Sequence, residues 1–250
     1  MASSSGASDF AGVTFMSFLE WLGTIILKYG LIFRERDGTM KRIGLTGGIA
    51  SGKSTASAIL RGWGACIIDA DAIAHGLMEP GGPLYEAYCA HFGTGVILPD
   101  GKLDRRRIGR IAFADPAEKR WLDETAHPVI RRAIEQELER AEAAGKSAVI
   151  LDIPLLFETG WQAHVDESWL VDVPEPLQLA RLQSRNGYSR EEAKRRIAAQ
   201  MPLVKKRRLA DVIIDNSGTE QELMERLRAL WQKQPHQAAG SNSRKEETHI

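Results

Sequence analysis

The chain has 250 residues, with 33 basic and 33 acidic side chains and a formal net charge of zero. That balance argues against a general nucleic-acid surface or an anionic-membrane surface, so an anionic ligand must be held locally. A hydrophobic fraction of 43% and only two cysteines, Cys66 and Cys89, fit one α/β domain with appendages. They give neither a disulfide framework nor a metal-ligand pattern, and they suit a reducing cytoplasm.

Residues 1–39 differ in composition from the rest of the chain. They open Met1-Ala2-Ser3-Ser4-Ser5-Gly6 and run into an apolar patch, Phe15 to Phe33, broken by Glu20 and Lys28. A membrane span needs about 20 mostly uncharged apolar residues, and a charge at its centre costs about 3 kcal/mol, so no stable insertion is expected. A secretory signal would begin with basic residues, and none occurs before Lys28. Met40-Lys41-Arg42 reads as the working start, which leaves residues 1–39 as an extension, poorly ordered or not native. A peripheral membrane contact through Trp21, Leu22, Ile25 and Ile26 is the alternative.

Lys41 to Thr46 reads as a first strand. Behind it Gly47 to Thr55 fits G-x-x-x-x-G-K-[ST] and opens a helix to about Arg61. Glycines suit a loop whose backbone amides converge on phosphate oxygens, and the helix start adds its orphan amides and positive dipole end. Gly48, Ala50, Ser51, Gly52, Lys53, Ser54 and Thr55 are therefore the nucleotide-binding candidates. Lys53 would reach the β- and γ-phosphates of a nucleoside triphosphate, and Ser54 would ligate Mg2+. Ala65 to Asp69 reads as a second strand, with Cys66 as a small buried hydrophobe. The strand ends Ile67-Ile68-Asp69-Ala70-Asp71, which sets two carboxylates beside the loop. One of them suits orientation and deprotonation of an acceptor hydroxyl; the other reading of either is an N-cap for a helix from Ala72 to Leu77.

From Asp71 to Ala144 the spacing of apolar residues predicts helices over Pro83 to Phe92, Asp104 to Ala112 and Pro116 to Ala144, a helical insertion over the crevice at about 72–144. Ser147 to Asp152, Ser168 to Val173 and Asp211 to Asp215 read as three further strands. Apolar runs separated by helices imply a doubly wound parallel sheet, with its ligand crevice at the carboxyl ends of the strands. Between the last two, Pro176 to Arg208 is a cationic helical stretch, mostly a solvated face. Arg181 and Arg185 stand apart, because four-residue spacing puts both guanidinium groups on one side of a helix, as a lid at about 181–200 would need. Residues 40–234 form the domain, and 235–250, polar and unpatterned, are expected to be a disordered tail.

Leu45 to Thr55, Ile68-Asp69-Ala70-Asp71, Leu103-Asp104-Arg105, Phe113-Ala114-Asp115-Pro116, His127-Pro128-Val129-Ile130, Asp152 to Glu158 and Asp211 to Asn216 together resemble dephospho-coenzyme A kinase, in order and spacing, over Met40 to about Gln232. The resemblance implies the fold of the P-loop kinases, and phosphorylation by ATP of the ribose 3′-hydroxyl of dephospho-CoA, the last step of coenzyme A biosynthesis. It aligns Asp71 with the catalytic base, Arg181 and Arg185 with the lid arginines, and Asn216 with an adenine-contacting loop. Thr46, Arg105, His127, Pro154 and Leu155 fall at acceptor-side positions. For His127 a packing or helix-start role is the alternative, for Asn216 a turn, and the apolar residues of Pro154 to Glu158 also read as core. Another small-molecule kinase of the same architecture would share loop and lid. A GTP-dependent switch needs an Asn-Lys-x-Asp reader, and none of Asn186, Asn216 and Asn242 precedes a lysine. The sequence does not fix the oligomeric state.

Overall fold

Five parallel strands, β1 (Lys41–Gly47), β2 (Cys66–Asp69), β3 (Ala148–Asp152), β4 (Glu167–Asp172) and β5 (Val212–Asp215), form one sheet in the order β2-β3-β1-β4-β5. They come from a computed structural model that describes residues 40–235; the expectations for residues 1–39 and for the tail from 236 onward lie outside the described residues. The five predicted strands are all present, within one or two residues at each end.

The two faces of the sheet arise from the two-residue period of a strand. Val149 and Leu151 of β3 enter one core cluster with Ile68, Leu156, Phe157 and Trp161. Ile150 enters the opposite cluster with Ile43, Leu45, Trp169, Val171 and Ile214. Helix α1 (Lys53–Gly62) brings Ala56 and Leu60 to that second face, and the C-terminal helix α9 (Glu220–Trp231) brings Leu223 and Leu227. Gly44 of β1 makes room on the first face: a β-carbon there would meet the Leu156 methyls at 3.0 Å, so that side chain would have to shift.

The long interval between β2 and β3 is helical, as its periodicity predicts: α2 (Ala70–Leu77), α3 (Pro83–Phe92), α4 (Arg105–Ala114) and α5 (Pro116–Ala143). Asp69, Asp104 and Asp115 accept amide hydrogens at the starts of α2, α4 and α5, so the capping role left open for Asp69 is the one the structure displays. That cap moves the start of α2 back to Ala70, two residues before the predicted one. Leu84, Tyr88, Val96, Leu103 and Ile108 form a separate small core among these helices.

After β4 come α6 (Glu175–Asn186), α7 (Arg190–Ala198) and α8 (Leu203–Leu209). Leu179, Leu182 and Ala193 make a satellite cluster on which Ile49 and Ala50 of the phosphate loop rest. The cationic stretch is not all a solvated face: Lys206 has no exposed surface. Among the described residues no helix is long and apolar enough to cross a membrane.

Candidate active site

The loop between β1 and α1 has the backbone its sequence requires. Gly52 lies in the left-handed region at φ +91°, and Ala50, at φ 58°, is the one non-glycine residue with positive φ among the described residues. A β-carbon on Gly52 would run into the Asn216 side-chain amide, and one on Gly48 would meet Gln178 Nε2 at 2.7 Å. The first backbone bond of α1 is Ala56 N–H to the Gly52 carbonyl at 3.0 Å, which leaves the first-turn amides for an anion. Ser54 and Thr55 are exposed there, while Ser51 is buried and its hydroxyl has no partner among the described residues.

Side chains from distant segments hold the loop from behind. Asn216, buried after β5, donates its amide to the Ser51 carbonyl at 2.7 Å. Arg181 donates to the Asn216 carbonyl at 2.9 Å and to the Ser51 carbonyl at 3.4 Å. Gln178 donates to the Ile49 carbonyl at 2.6 Å, and the Ile49 amide donates to Gln200 Oε1 at 2.8 Å. Arg181 thus lies against the phosphate loop. Arg185, further along α6, is exposed and bonded to Asn186 Oδ1 at 3.0 Å. Gly52→Ala combines left-handed strain, of about 1–2 kcal/mol for a residue with a side chain, with loss of the Asn216 clasp. Nucleotide titration and thermal melting of that variant are expected to show at least about tenfold weaker ATP binding and a lower melting temperature; unchanged affinity would contradict this role of the loop.

Lys53 forms an ion pair with Asp152, the last residue of β3. Asp152 was given no role from the sequence, although it opens the Asp152 to Glu158 segment of the resemblance and ends a strand at the crevice. Asp71 lies in the first turn of α2, exposed at the crevice, but protein atoms close around its carboxyl. Loss of hydration raises it above the ordinary carboxylate range; Asp69 and Asp152 add to the rise, while Lys53 and His75 oppose it. Thr46 is fully buried and donates its hydroxyl to the Pro154 carbonyl at 2.9 Å. Of the apolar residues after Pro154, Leu156 and Phe157 are core, as expected, but Leu155 is 42% exposed.

Between the end of α2 and the start of α4 opens a cavity of about 550 Å3, lined by the cations Lys102, Arg105, Arg106 and Arg110, the carboxylates Glu79 and Asp104, His75, and the apolar Met78, Leu98 and Leu103. Arg105, exposed at the start of α4, is the sequence candidate in it; His75 belongs to it because it lies one helical turn beyond Asp71. His127 lies inside α5, outside that lining, and is no helix start. Loss of hydration lowers its ring below the ordinary imidazole range, against the opposing pull of Asp123. Among the described residues no cluster of three or more His, Cys, Asp or Glu side chains forms a metal site.

Comparison with known proteins gives the same picture. The family model described as "Dephospho-CoA kinase" matches residues 41–222. The chain is 52% identical over 192 residues to a dephospho-CoA kinase of Symbiobacterium thermophilum, covering 77% of this chain and 80% of that protein. It is 47% identical to one of Carboxydothermus hydrogenoformans, covering 76% and 93%. Among solved structures, TT1252 from Thermus thermophilus is similar with a TM-score of 0.67 at 38% identity, covering 77% of this chain and 96% of that one. Dephospho-CoA kinase from Campylobacter jejuni is similar with a TM-score of 0.60 at 28% identity, with the same coverage. With its five parallel strands, its phosphate loop and these relatives taken together, the chain belongs to the dephospho-CoA kinase family.

Proposed function

We propose that this kinase transfers the γ-phosphoryl group of ATP to the ribose 3′-hydroxyl of dephospho-CoA, the last step of coenzyme A biosynthesis, in the cytoplasm. The observation that carries the reading is the position of Asp71. Asp71 follows β2 by two residues; Asp69, the last residue of β2, is registered beside Asp152, the ion-pair partner of Lys53, and His75, one helical turn beyond Asp71, lines the cavity. On this reading the donor phosphates lie on the Lys53 side of Asp71 and the acceptor lies toward the cavity.

The chemistry asked of these residues is positioning and charge compensation. The acceptor oxygen forms a bond to the γ-phosphorus as the bond to the β,γ-bridging oxygen breaks. ADP leaves, and the hydroxyl proton passes to the Asp71 carboxylate. Lys53 and the α1 amides bear the charge on the phosphates, and Arg181, beside the same loop, adds positive charge from the α6 side. Arg185 and the rest of α6–α7 serve as the lid, and α2–α5 as the acceptor-binding insertion. Arg105 with its neighbours suits the phosphates of the acceptor, and the exposed Leu155 and the Pro154 backbone suit its sugar end. His127 of α5, although outside the cavity lining, is an acceptor-side residue on the family resemblance alone.

The residues fit Mg2+, an ion that keeps most of its waters and takes few protein ligands when phosphates supply the others. The exposed Ser54 hydroxyl would hold it, and when bound it neutralises phosphate charge. A coupled ADP-release assay tests the proposal: rapid release with dephospho-CoA, and little with AMP or pantetheine phosphate, is expected. Equal rates with AMP would favour a nucleotide kinase instead.

A further inference from the structure

The connection from α7 to α8 touches both halves of the crevice. Gln200 accepts the phosphate-loop amide of Ile49. One residue later the Met201 amide donates to Glu158 Oε1 at 3.3 Å. Lys206, 0% exposed, pairs with the same oxygen at 2.9 Å and donates to the Pro154 carbonyl at 3.2 Å. That carbonyl is also the acceptor for Thr46, the residue before the phosphate loop begins. Three separate segments therefore converge on one carbonyl and one carboxylate. They are the end of β1, the loop after β3, and the return from the proposed lid.

A fully buried ammonium is a costly way to fill space. Its desolvation offsets most of what the ion pair returns, and an apolar side chain of similar length would fill the volume without that cost. Glu158 adds to the cost, because its Oε2 is buried without a partner among the described residues. What the charge supplies and a methionine would not is direction: a donor fixed on the Pro154 carbonyl and an acceptor fixed on the Met201 amide.

We infer that Lys206, with Glu158, is a positioning residue that clasps the lid's return segment to the Pro154 loop and so holds the acceptor hydroxyl in register with the phosphate loop. The inference rests on the reading of the Pro154 loop as an acceptor contact. It acts through Pro154 and Thr46, without a contact from Lys206 to either substrate.

The test separates positioning from bulk stability. Lys206→Met alone leaves the half-buried Glu158 carboxylate without its cation, and is expected to lose both stability and activity. The double variant Lys206→Met/Glu158→Gln removes both charges, and its melting temperature is expected to recover toward the wild-type value. Its kcat/KM for dephospho-CoA is expected to stay at least about tenfold low, while ATP affinity by fluorescent-nucleotide titration changes less than about twofold. Glu158→Gln alone leaves the fully buried Lys206 ammonium without its carboxylate, and is expected to lose stability and activity together. Recovery of kcat/KM together with stability in the double variant would overturn the inference, as would parallel loss of ATP and acceptor binding. A wild-type protein that binds ATP yet leaves dephospho-CoA untouched would instead overturn the acceptor reading, and this inference with it.

Discussion

Lys53→Ala is expected to lose turnover by at least about 10²–10³-fold, the scale seen when one preorganised donor to developing charge is removed. It is also expected to lose stability, because Asp152, whose side chain is 4% exposed, would be left as a buried carboxylate without its cation. Breaking such a pair from one side costs about 3–5 kcal/mol when fully buried, and somewhat less here, since the Lys53 side chain is 18% exposed. The two losses have different cures. In Lys53→Ala/Asp152→Asn the melting temperature is expected to return most of the way to the wild-type value, whereas turnover stays at the level of the single variant, since the Lys53 ammonium is still missing from the phosphates. Restoration of turnover in the double variant would show that Lys53 matters only as the partner of Asp152.

Asp71→Asn has the opposite signature. The amide keeps the shape and the place in the α2 turn but cannot take a proton, so kcat is expected to fall by about 10²–10⁴-fold with ATP affinity unchanged. Stability is expected to hold or rise slightly, because the substitution removes one of three neighbouring negative charges, the others being Asp69 and Asp152. The direction of the shift sets the sign of the pH dependence. A carboxyl raised above its unfolded value is protonated, and useless as a base, at pH values where an ordinary carboxylate is still ionised. The wild-type rate should therefore begin to fall, as pH is lowered, above the ordinary carboxylate range, and that limb should vanish in Asp71→Asn. For folding, the raised Asp71 opposes stability once the pH exceeds its unfolded value, an effect relieved as the pH falls through that window. Normal turnover in the Asn variant would remove Asp71 from the mechanism.

The strands were readable because each is an apolar run that lies under helices, so hydrophobicity alone marks it. Their order was not, since the position of β1 between β3 and β4 is decided by which helix packs on which face, a matter of long-range burial. The phosphate loop was readable because its backbone demands glycine at particular positions, Gly52 above all. The supports behind it were not. Asn216 meets Ser51 across 165 residues and Gln178 meets Ile49 across 129, and an amide side chain in a helix or turn carries no mark of such a partner. Lys206 was hidden in a different way: it belongs to a run of cations whose usual fate is solvent, and its neighbours Lys205 and Arg208 are indeed exposed. Leu155 shows the converse, an apolar residue inside a core-like segment that faces solvent because the chain turns directly after Pro154.

If one crevice passes the terminal phosphoryl group of ATP to a single hydroxyl of the acceptor, a label on that group has only one destination. The protein is incubated with Mg2+, γ-labelled ATP and dephospho-CoA, and the product is then treated with a 3′-nucleotidase. The label is expected to appear on the coenzyme and to be released entirely as phosphate by the nucleotidase. Label that stays in ATP, or that resists the nucleotidase, would contradict transfer to the 3′-hydroxyl.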